Sequence, residues 1–276
     1  MDIQITDKNL SHYEQSEIAK LLDMQCPDID DDLEQIWYLM DLVWDELGCD
    51  SRKLDWQRIG SFYAHSVWLL NGLFIEQHPL SMEHREAIAR WIVDRKLHRV
   101  VDYGGGFGTL ARTIAQKNSS ITVEIFEPHP SAFGLKRAAE FDNIVMIDQL
   151  AQEYDCLVST DVLEHVPDPL ADFATMVESV KVGGCLVIAN CFYPVIKCHL
   201  PQTFHLRYSF DRFAALMGLE IVGRLKGSHA TIYRKIKSVK CNWIIIRVFE
   251  KISQLNYLVL LHSLPVLRRI KKWIVG

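Results

Sequence analysis

Five acids and three histidines fall where a ligand would meet them. Asp102 closes the run Arg99-Val100-Val101 and is followed at once by Tyr103-Gly104-Gly105-Gly106-Phe107-Gly108. The glycines admit positive φ and the close approach of a ligand where a Cβ would block it. A carboxylate at Asp102 repels a pyrophosphate, so this turn favours a ligand with a cationic end. Glu127 ends a second apolar run, Ile121 to Phe126, where a carboxylate can accept both hydroxyls of a nucleoside ribose. Asp148 ends a third run, and Asp161, Glu164 and His165 follow a fourth. His165, His199 and His205 are candidate bases because imidazole titrates near working pH; for each of them the alternative is a satisfied structural histidine.

These side chains need strand ends to hold them. Residues 99–109 read as strand, tight turn and helix start, the layout that places a nucleotide-like ligand at the carboxyl end of a strand. The glycines alone admit a second frame. Gly106-x-Gly108-x-x-Ala111, with Glu127 nineteen residues beyond Gly108, also fits a dinucleotide fingerprint. From Arg99 onward strands alternate with helices, the signature of a parallel sheet with crossover helices. Strands are expected at 99–103, 121–126, 144–147, 155–160 and 184–191, then near 219–225 and 229–234. Helices are expected at 108–117, 131–140, 169–180 and 210–217. Residues 1–98 read as helical: Leu33, Ile36, Trp37, Met40, Trp44 and Leu47 line one face, Phe62 to Ile75 forms a second apolar segment, and a third helix starts near Ser81. The acidic run Asp28 to Asp32 lacks the glycine and glutamate of a calcium loop and suits a solvated helix N-terminus.

Val101-Asp102-Tyr103-Gly104-Gly105-Gly106-Phe107-Gly108 resembles motif I of the class I S-adenosylmethionine (SAM) dependent methyltransferases. Tyr154 to Pro169, with Asp161-Val162-Leu163-Glu164-His165-Val166-Pro167-Asp168-Pro169, resembles motif IV of the small-molecule members, a segment that dinucleotide dehydrogenases do not carry. The resemblance covers about residues 99–233. It implies an α/β, Rossmann-like seven-stranded sheet with helices on both faces, its last two strands a hairpin, flanked by an N-terminal helical cap and a C-terminal helical tail. It also implies SAM as cofactor, held by Asp102, Tyr103, Gly104, Gly106, Phe107, Glu127, Pro128, Asp148, Gln149, Thr160 and Asp161, with Asp148 on the adenine amino group. In the family the cap commonly shapes the acceptor site, which makes Tyr63, His65 and Trp68 candidates, or else core packing. His205 and Arg207 lie in a segment similar to the family's His-x-Arg-x-Phe/Tyr-Ser and face the acceptor side. Asp161-x-x-Glu164-His165 resembles the Glu-x-x-Glu-His of ubiquinone-pathway O-methyltransferases, a set suited to a divalent cation.

At 276 residues, 49% apolar and 24% charged, the chain has room for one sizeable α/β domain with appendages. The divisions expected are a cap at 1–98, a SAM-binding domain at 99–234 and a basic amphipathic tail at 235–276. Residues 234–276 hold ten Lys/Arg and one acid, Glu250, a local +9; against a chain total of −5 this leaves −14 for residues 1–233. An acidic body argues against nucleic acid over the site. The run Ile252 to Leu267 is too short and polar to span a bilayer, so the tail lies on a membrane surface or packs on the body or a second copy, with nucleic-acid contact as the remaining alternative. Seven scattered cysteines without a Cys-x-x-Cys pair suit free thiols in a reducing cytoplasm, and the start Met1-Asp2-Ile3-Gln4 lacks a signal peptide's features. Together these readings favour an O-methyltransferase acting on a small-molecule or saccharide acceptor, in the cytoplasm or peripheral at the inner face of a membrane. An NAD(P) oxidoreductase and a non-catalytic binding module are the alternatives.

Overall fold

The change of period at Arg99 marks where the sheet begins. The computed structural model describes the backbone of residues 1, 3–5 and 7–275, and the side chains of these residues up to 261 and of Ser263. Five β-branched-rich runs form parallel strands: β1 (Arg99–Tyr103), β2 (Thr122–Phe126), β3 (Ile144–Ile147), β4 (Tyr154–Thr160) and β5 (Val180–Ala189). A hairpin of β6 (Leu219–Arg224) and β7 (Thr231–Lys235) adds antiparallel to β5. The order is β3-β2-β1-β4-β5-β7-β6. The chain therefore reverses direction across the sheet between β1 and β4, and their carboxyl ends border the crevice where open α/β sheets bind ligands.

Helices cover both faces, as the near-continuous apolar strands demand. On one face α5 (Pro79–Asp94) and α6 (Thr109–Lys117) bury Ile88, Ile92, Leu110 and Ile114 against Val100, Val123 and Val158. On the other, α8 (Pro169–Ser179) and α9 (Phe210–Leu216) bury Leu170, Phe173 and Phe213 against Leu157 and Leu186. The buried Lys235 of β7 donates through Nζ to the carbonyls of Val177 and Val180, at 2.8 and 2.6 Å, so a cation satisfies the C-terminal end of α8. The short helix α7 (Ala132–Ala138) leads to β3.

The N-terminal residues form α1 (His12–Leu22), α2 (Asp32–Glu46), α3 (Trp56–Tyr63) and α4 (Ser66–Gln77) around a third core that includes Ile36, Trp44, Phe62 and Leu70. The acidic run does lead into a helix N-terminus, with Asp31 accepting from the Glu34 N–H at 2.9 Å. The apolar run Phe62 to Ile75 is not one helix. It breaks at Ala64–His65, where the His65 ring accepts the Val67 N–H at 3.1 Å and starts α4. Glu76 of α4 ties the cap to the sheet domain: it accepts from Thr109 Oγ1 at 2.8 Å and pairs with Arg112 and with Arg137, the latter at 2.5 Å. After β7, the long helix α10 (Trp243–Val275) rests on the body through Ile246. All seven cysteines are free. Among the described residues no helix is long and apolar enough to cross a membrane.

Candidate active site

The turn after β1 is built as its glycines require. Gly104, Gly106 and Gly108 have φ of +73°, +56° and +78°. A Cβ on Gly104 would stand 2.4 Å from the Val162 side chain, so backbone must lie close against the segment after β4. A Cβ on Gly106 would meet nothing within 4 Å, so this peptide borders open space. Glu127, carried by the end of β2, accepts from the Gly106 N–H with Oε2 and from the His129 N–H with Oε1, both at 2.9 Å. Asp102 is 3% exposed beneath the turn, and burial pushes its carboxyl up to about 7, opposed by the guanidinium of Arg85 from α5. A buried carboxylate calls for a cationic partner.

Past β4, Asp161 adopts a left-handed φ of +54°, a conformation found at sites that must aim a side chain. Its carboxylate is half exposed and lies 3.6 Å from His229 Nε2, in the β6–β7 turn; pairing with this carboxylate raises the His229 pKa. Glu164 is fully buried. Its Oε1 accepts the Cys191 N–H at 2.6 Å, while Oε2 has no protein partner, and burial pushes the carboxyl up to about 8. His165 Nδ1 lies 3.3 Å from the Cys198 carbonyl and His199 Nδ1 lies 2.6 Å from the Tyr193 carbonyl. A carbonyl only accepts, so each ring carries its proton on Nδ1 and keeps the Nε2 lone pair. Burial drives the His165 pKa down to about 3 and also lowers that of His199, so both are neutral bases. The two rings sit 4.8 Å apart, and Glu164, His165 and His199 bring one ligand atom each within 4.8 Å of one another.

The cap and the tail supply the remaining wall. Tyr63 and Trp68 meet the His165 ring edge-on at 6.2 and 6.0 Å, and Tyr63 stacks on His129 at 5.8 Å. His199 also lines a cavity of about 860 Å³ between the cap, the segment 194–205 and α10, with Ile196, Phe204, His205, Gln254 and Tyr257 among its walls. His205, on a 3₁₀ turn over Pro201–Tyr208, is 2% exposed; burial lowers its pKa to about 4. Its Nδ1 lies 2.9 Å from Ser253 Oγ of α10, and its Nε2 has no protein partner. Arg207 stands 3.8 Å over the Tyr193 ring and donates to Tyr257 of α10 at 3.3 Å.

A family model described as a methyltransferase domain matches residues 76–215, half of the chain. The chain belongs to this family. Its fold is the SAM-dependent class I arrangement, and an O-methyltransferase family protein from Burkholderia thailandensis superposes with a TM-score of 0.54 at 17% identity, over 74% of this chain and 71% of that one. Among curated relatives, a ubiquinone biosynthesis O-methyltransferase of Erwinia tasmaniensis is 25% identical over 82% of this chain and 91% of its own length. One of the same name from Haemophilus ducreyi is 27% identical over 50% of this chain. The chain spans under two thirds of the length of the first such relatives it matches: 65% for Haemophilus ducreyi and 54% for Xanthomonas campestris.

Within this methyltransferase fold, Asp102, Gly104, Gly106, Glu127 and Asp161 gather at the carboxyl ends of β1, β2 and β4, with Tyr103 and Thr160 as the last strand residues. Pro128 follows Glu127, and Asp148 and Gln149 are exposed just beyond β3, where no helix follows. The side chain of Phe107 turns away from the glycine turn. Its ring, 7% exposed, packs against Gly72 of α4 and edge-on to Phe133 at 5.2 Å, because the cap core offers an apolar slot there. His65 is spent on capping α4 rather than facing the histidine pair. The three-ligand group takes His199 in place of Asp161, whose carboxylate is turned to His229. Arg85 carries no local sequence signal of a role. It reads as a polar position on a helix, and only the docking of α5 brings it near Asp102 and Asp161.

Proposed function

We propose that this chain transfers a methyl group from SAM to a hydroxyl of a small, largely apolar acceptor. The observation that carries the reading is Asp102, a buried carboxylate under a glycine turn whose Gly106 borders open space. The group such a site fits has a cationic end and a nucleoside; SAM offers both, and when bound it supplies an activated methyl. Asp102 would take its ammonium and Arg85 its carboxylate, while Glu127 would turn from the Gly106 N–H toward the ribose hydroxyls. Asp148 and Gln149 stand in reach of the adenine end. Residues 1–98 act as the cap and 235–276 as a separate tail about a SAM-binding unit at 99–234.

On the acceptor side, a neutral imidazole with a free Nε2 accepts the proton of a hydroxyl held against it. His165 and His199 both meet that condition, and His205 would line the way in. Because these imidazoles are neutral in the empty site, the base is ready without titrating first. Tyr63, Trp68, Phe204 and Ile196 would exclude water from the acceptor and hold it in line. The largely apolar walls suit an aromatic or chain-bearing acceptor better than a bare saccharide.

One observation favours a second reading, in which these Nε2 atoms hold a cation instead of taking the proton. Glu164 Oε2 is buried without a partner beside two imidazoles whose Nε2 is free. A carboxylate and two imidazoles fit a divalent cation such as Zn²⁺ or Mn²⁺, which there would orient acceptor oxygens.

The test is calorimetric titration of the chain with SAM and S-adenosylhomocysteine, with NADH as control, followed by S-adenosylhomocysteine release on alkyl phenols and catechols. Micromolar binding of the sulfur nucleotides and no binding of NADH is expected. Binding without release on any hydroxyl acceptor would leave a binding module, and exhaustive chelation without effect would remove the metal.

A further inference from the structure

Helix α10 wears its amphipathic pattern inside out. Its body-facing positions, Ile246, Glu250, Ser253 and Tyr257, step by four, three and four residues along one face. Three of these are polar or charged, and they work: Ser253 bonds His205, Tyr257 bonds Arg207, and Glu250 pairs with Arg247, which also pairs with Asp168. The opposite face is apolar. Ile244, Val248, Ile252, Leu255 and Val259 step by four, four, three and four residues and are 80%, 52%, 46%, 62% and 67% exposed. At about 1.5 Å per residue this stripe runs on the order of 22 Å. Phe249, half exposed, widens it. A helix on a soluble body normally buries its apolar stripe and shows water its polar side. An apolar stripe of this length turned outward marks a surface made to be covered.

The charge around the stripe says by what. Residues 234–276 carry a local +9, and the one acid among them, Glu250, is already taken by Arg247. Lys237 and Lys240, just before the helix in sequence, and Lys251 within it are exposed. In sequence, the uncharged run 252–267 is followed by Arg268, Arg269, Lys271 and Lys272. The side chains of those four and of Trp273, and Gly276 as a whole, lie outside the described residues. An apolar centre with basic ends is the composition of a helix that lies in a bilayer interface, where stem and stripe sit among acyl chains and cations meet anionic headgroups. Pairing two copies through this stripe would instead bring the exposed lysines of two tails together, Lys237, Lys240 and Lys251 from each. Phenylalanine and isoleucine on the outer face, with no helix of spanning character among the described residues, fit lying on the bilayer rather than crossing it.

We infer that α10 is a membrane-surface helix: its outward stripe from Ile244 to Val259 seats in the interface of an anionic phospholipid bilayer while its inward face holds the acceptor side of the catalytic body. The helix thus links where the protein sits to how its site is built.

The experiment is co-sedimentation of the full chain with phosphatidylcholine vesicles and with vesicles in which about a third of the lipid is phosphatidylglycerol. Binding to the anionic vesicles is expected to be at least about tenfold tighter than to the neutral ones, and to weaken at 0.5 M salt, as screening of headgroup charge requires. The double variant Val248→Asp/Leu255→Asp alters only exposed positions; it should lose at least about tenfold in vesicle binding. A second variant, Lys237→Gln/Lys240→Gln/Lys251→Gln, should lose the preference for anionic lipid while keeping the apolar stripe. Failure of the wild-type chain to bind either vesicle would overturn the inference, as would equal binding by the double aspartate variant. A dimer in light scattering that the aspartates convert to monomer would assign the stripe to a second copy and overturn it too. Vesicle binding is read without SAM or acceptor, so its failure leaves the methyltransferase reading untouched, and failure of SAM to bind leaves this one untouched.

Discussion

The two walls of the cleft are built in opposite ways. The proposed cofactor wall comes from neighbouring strand ends: Asp102 on β1, Glu127 after β2, Asp148 after β3 and Thr160–Asp161 at β4, all within 60 residues of chain. Each acid stands next to the strand that places it, and the sheet register does the rest. The proposed acceptor wall draws on segments that are far apart in sequence, from Tyr63 and Trp68 in the cap, through His199 and His205, to Ser253 and Tyr257 of α10. The family match, residues 76–215, contains the first wall entirely and omits both outer parts of the second. What this chain shares with its family is therefore how it would hold a cofactor. The acceptor side draws also on residues outside that span.

The largest effect should come from separating the walls. Glu76 of α4 holds Thr109 and Arg112 of α6 and Arg137 of α7, with its side chain 15% exposed and those of Arg112 and Arg137 9% and 14% exposed. Glu76→Ala would leave the buried Arg112 guanidinium without its carboxylate and Arg137 with only its longer pair to Asp7 at 3.7 Å. Removing one member of such a buried set costs about 3–5 kcal/mol, which for a chain of this size is roughly a 6–15 °C fall in Tm. Thermal unfolding followed by circular dichroism would show it. A fall under about 2 °C would mean that cap and sheet domain are joined elsewhere.

The next effect is confined to the cofactor wall. Asp102→Asn keeps the shape and removes the charge, and SAM affinity should drop on the order of 100-fold, the scale of a charge-assisted hydrogen bond lost from a buried site. The same group sets a pH dependence. Burial raises the Asp102 carboxyl from its ordinary 3.8 to about 7 in the empty protein. Between those values the folded chain keeps a proton that the unfolded chain gives up, so this group favours folding below 3.8 and that contribution is lost as pH rises toward 7. Binding a cation runs the other way, since it needs the carboxylate. The SAM Kd should be flat above pH 7 and weaken about tenfold per pH unit below it, with a proton released on binding near pH 6. Calorimetry in buffers of different ionisation enthalpy reads both. A Kd constant from pH 5.5 to 8 would show that Asp102 does not meet the cation.

The same contrast decides what the amino-acid sequence discloses. The strand at 99–103, the glycine turn and the acid after β2 are local features, and hydrophobic period together with glycine chemistry is enough to place them. The acceptor wall depends on docking, which no local pattern encodes. His65, beside Tyr63, looks equally suited to the site until α4 uses it as a cap. Phe107 looks like part of the turn until Gly72 opens a slot for its ring. Arg85 looks like surface until α5 lies against the sheet. In α10, composition tells that a helix is amphipathic and basic, but only the contacts of Ser253 and Tyr257 reveal that the polar side faces in.

The smallest effect is the sharpest test of that last point. His205 Nδ1 faces Ser253 Oγ at 2.9 Å, Ser253 Oγ faces Ser209 Oγ at 2.7 Å, and Ser209 Oγ donates to the His205 carbonyl at 3.1 Å. The chain closes in one direction: imidazole N–H to Ser253, Ser253 to Ser209, Ser209 back to the carbonyl. Donors and acceptors then all match, and His205 is fixed as the Nδ1–H tautomer with its Nε2 lone pair free, like His165 and His199. Ser253→Ala removes the acceptor that selects this tautomer. Nitrogen-15 NMR of the His205 ring should then show a mixture of tautomers, with about 1 kcal/mol of stability lost and the SAM Kd unchanged. A ring that keeps one tautomer in the variant would mean α10 merely lies against the site. A mixture would mean that a helix outside the family match sets the protonation of a residue inside it, and so that the acceptor wall is completed by the tail.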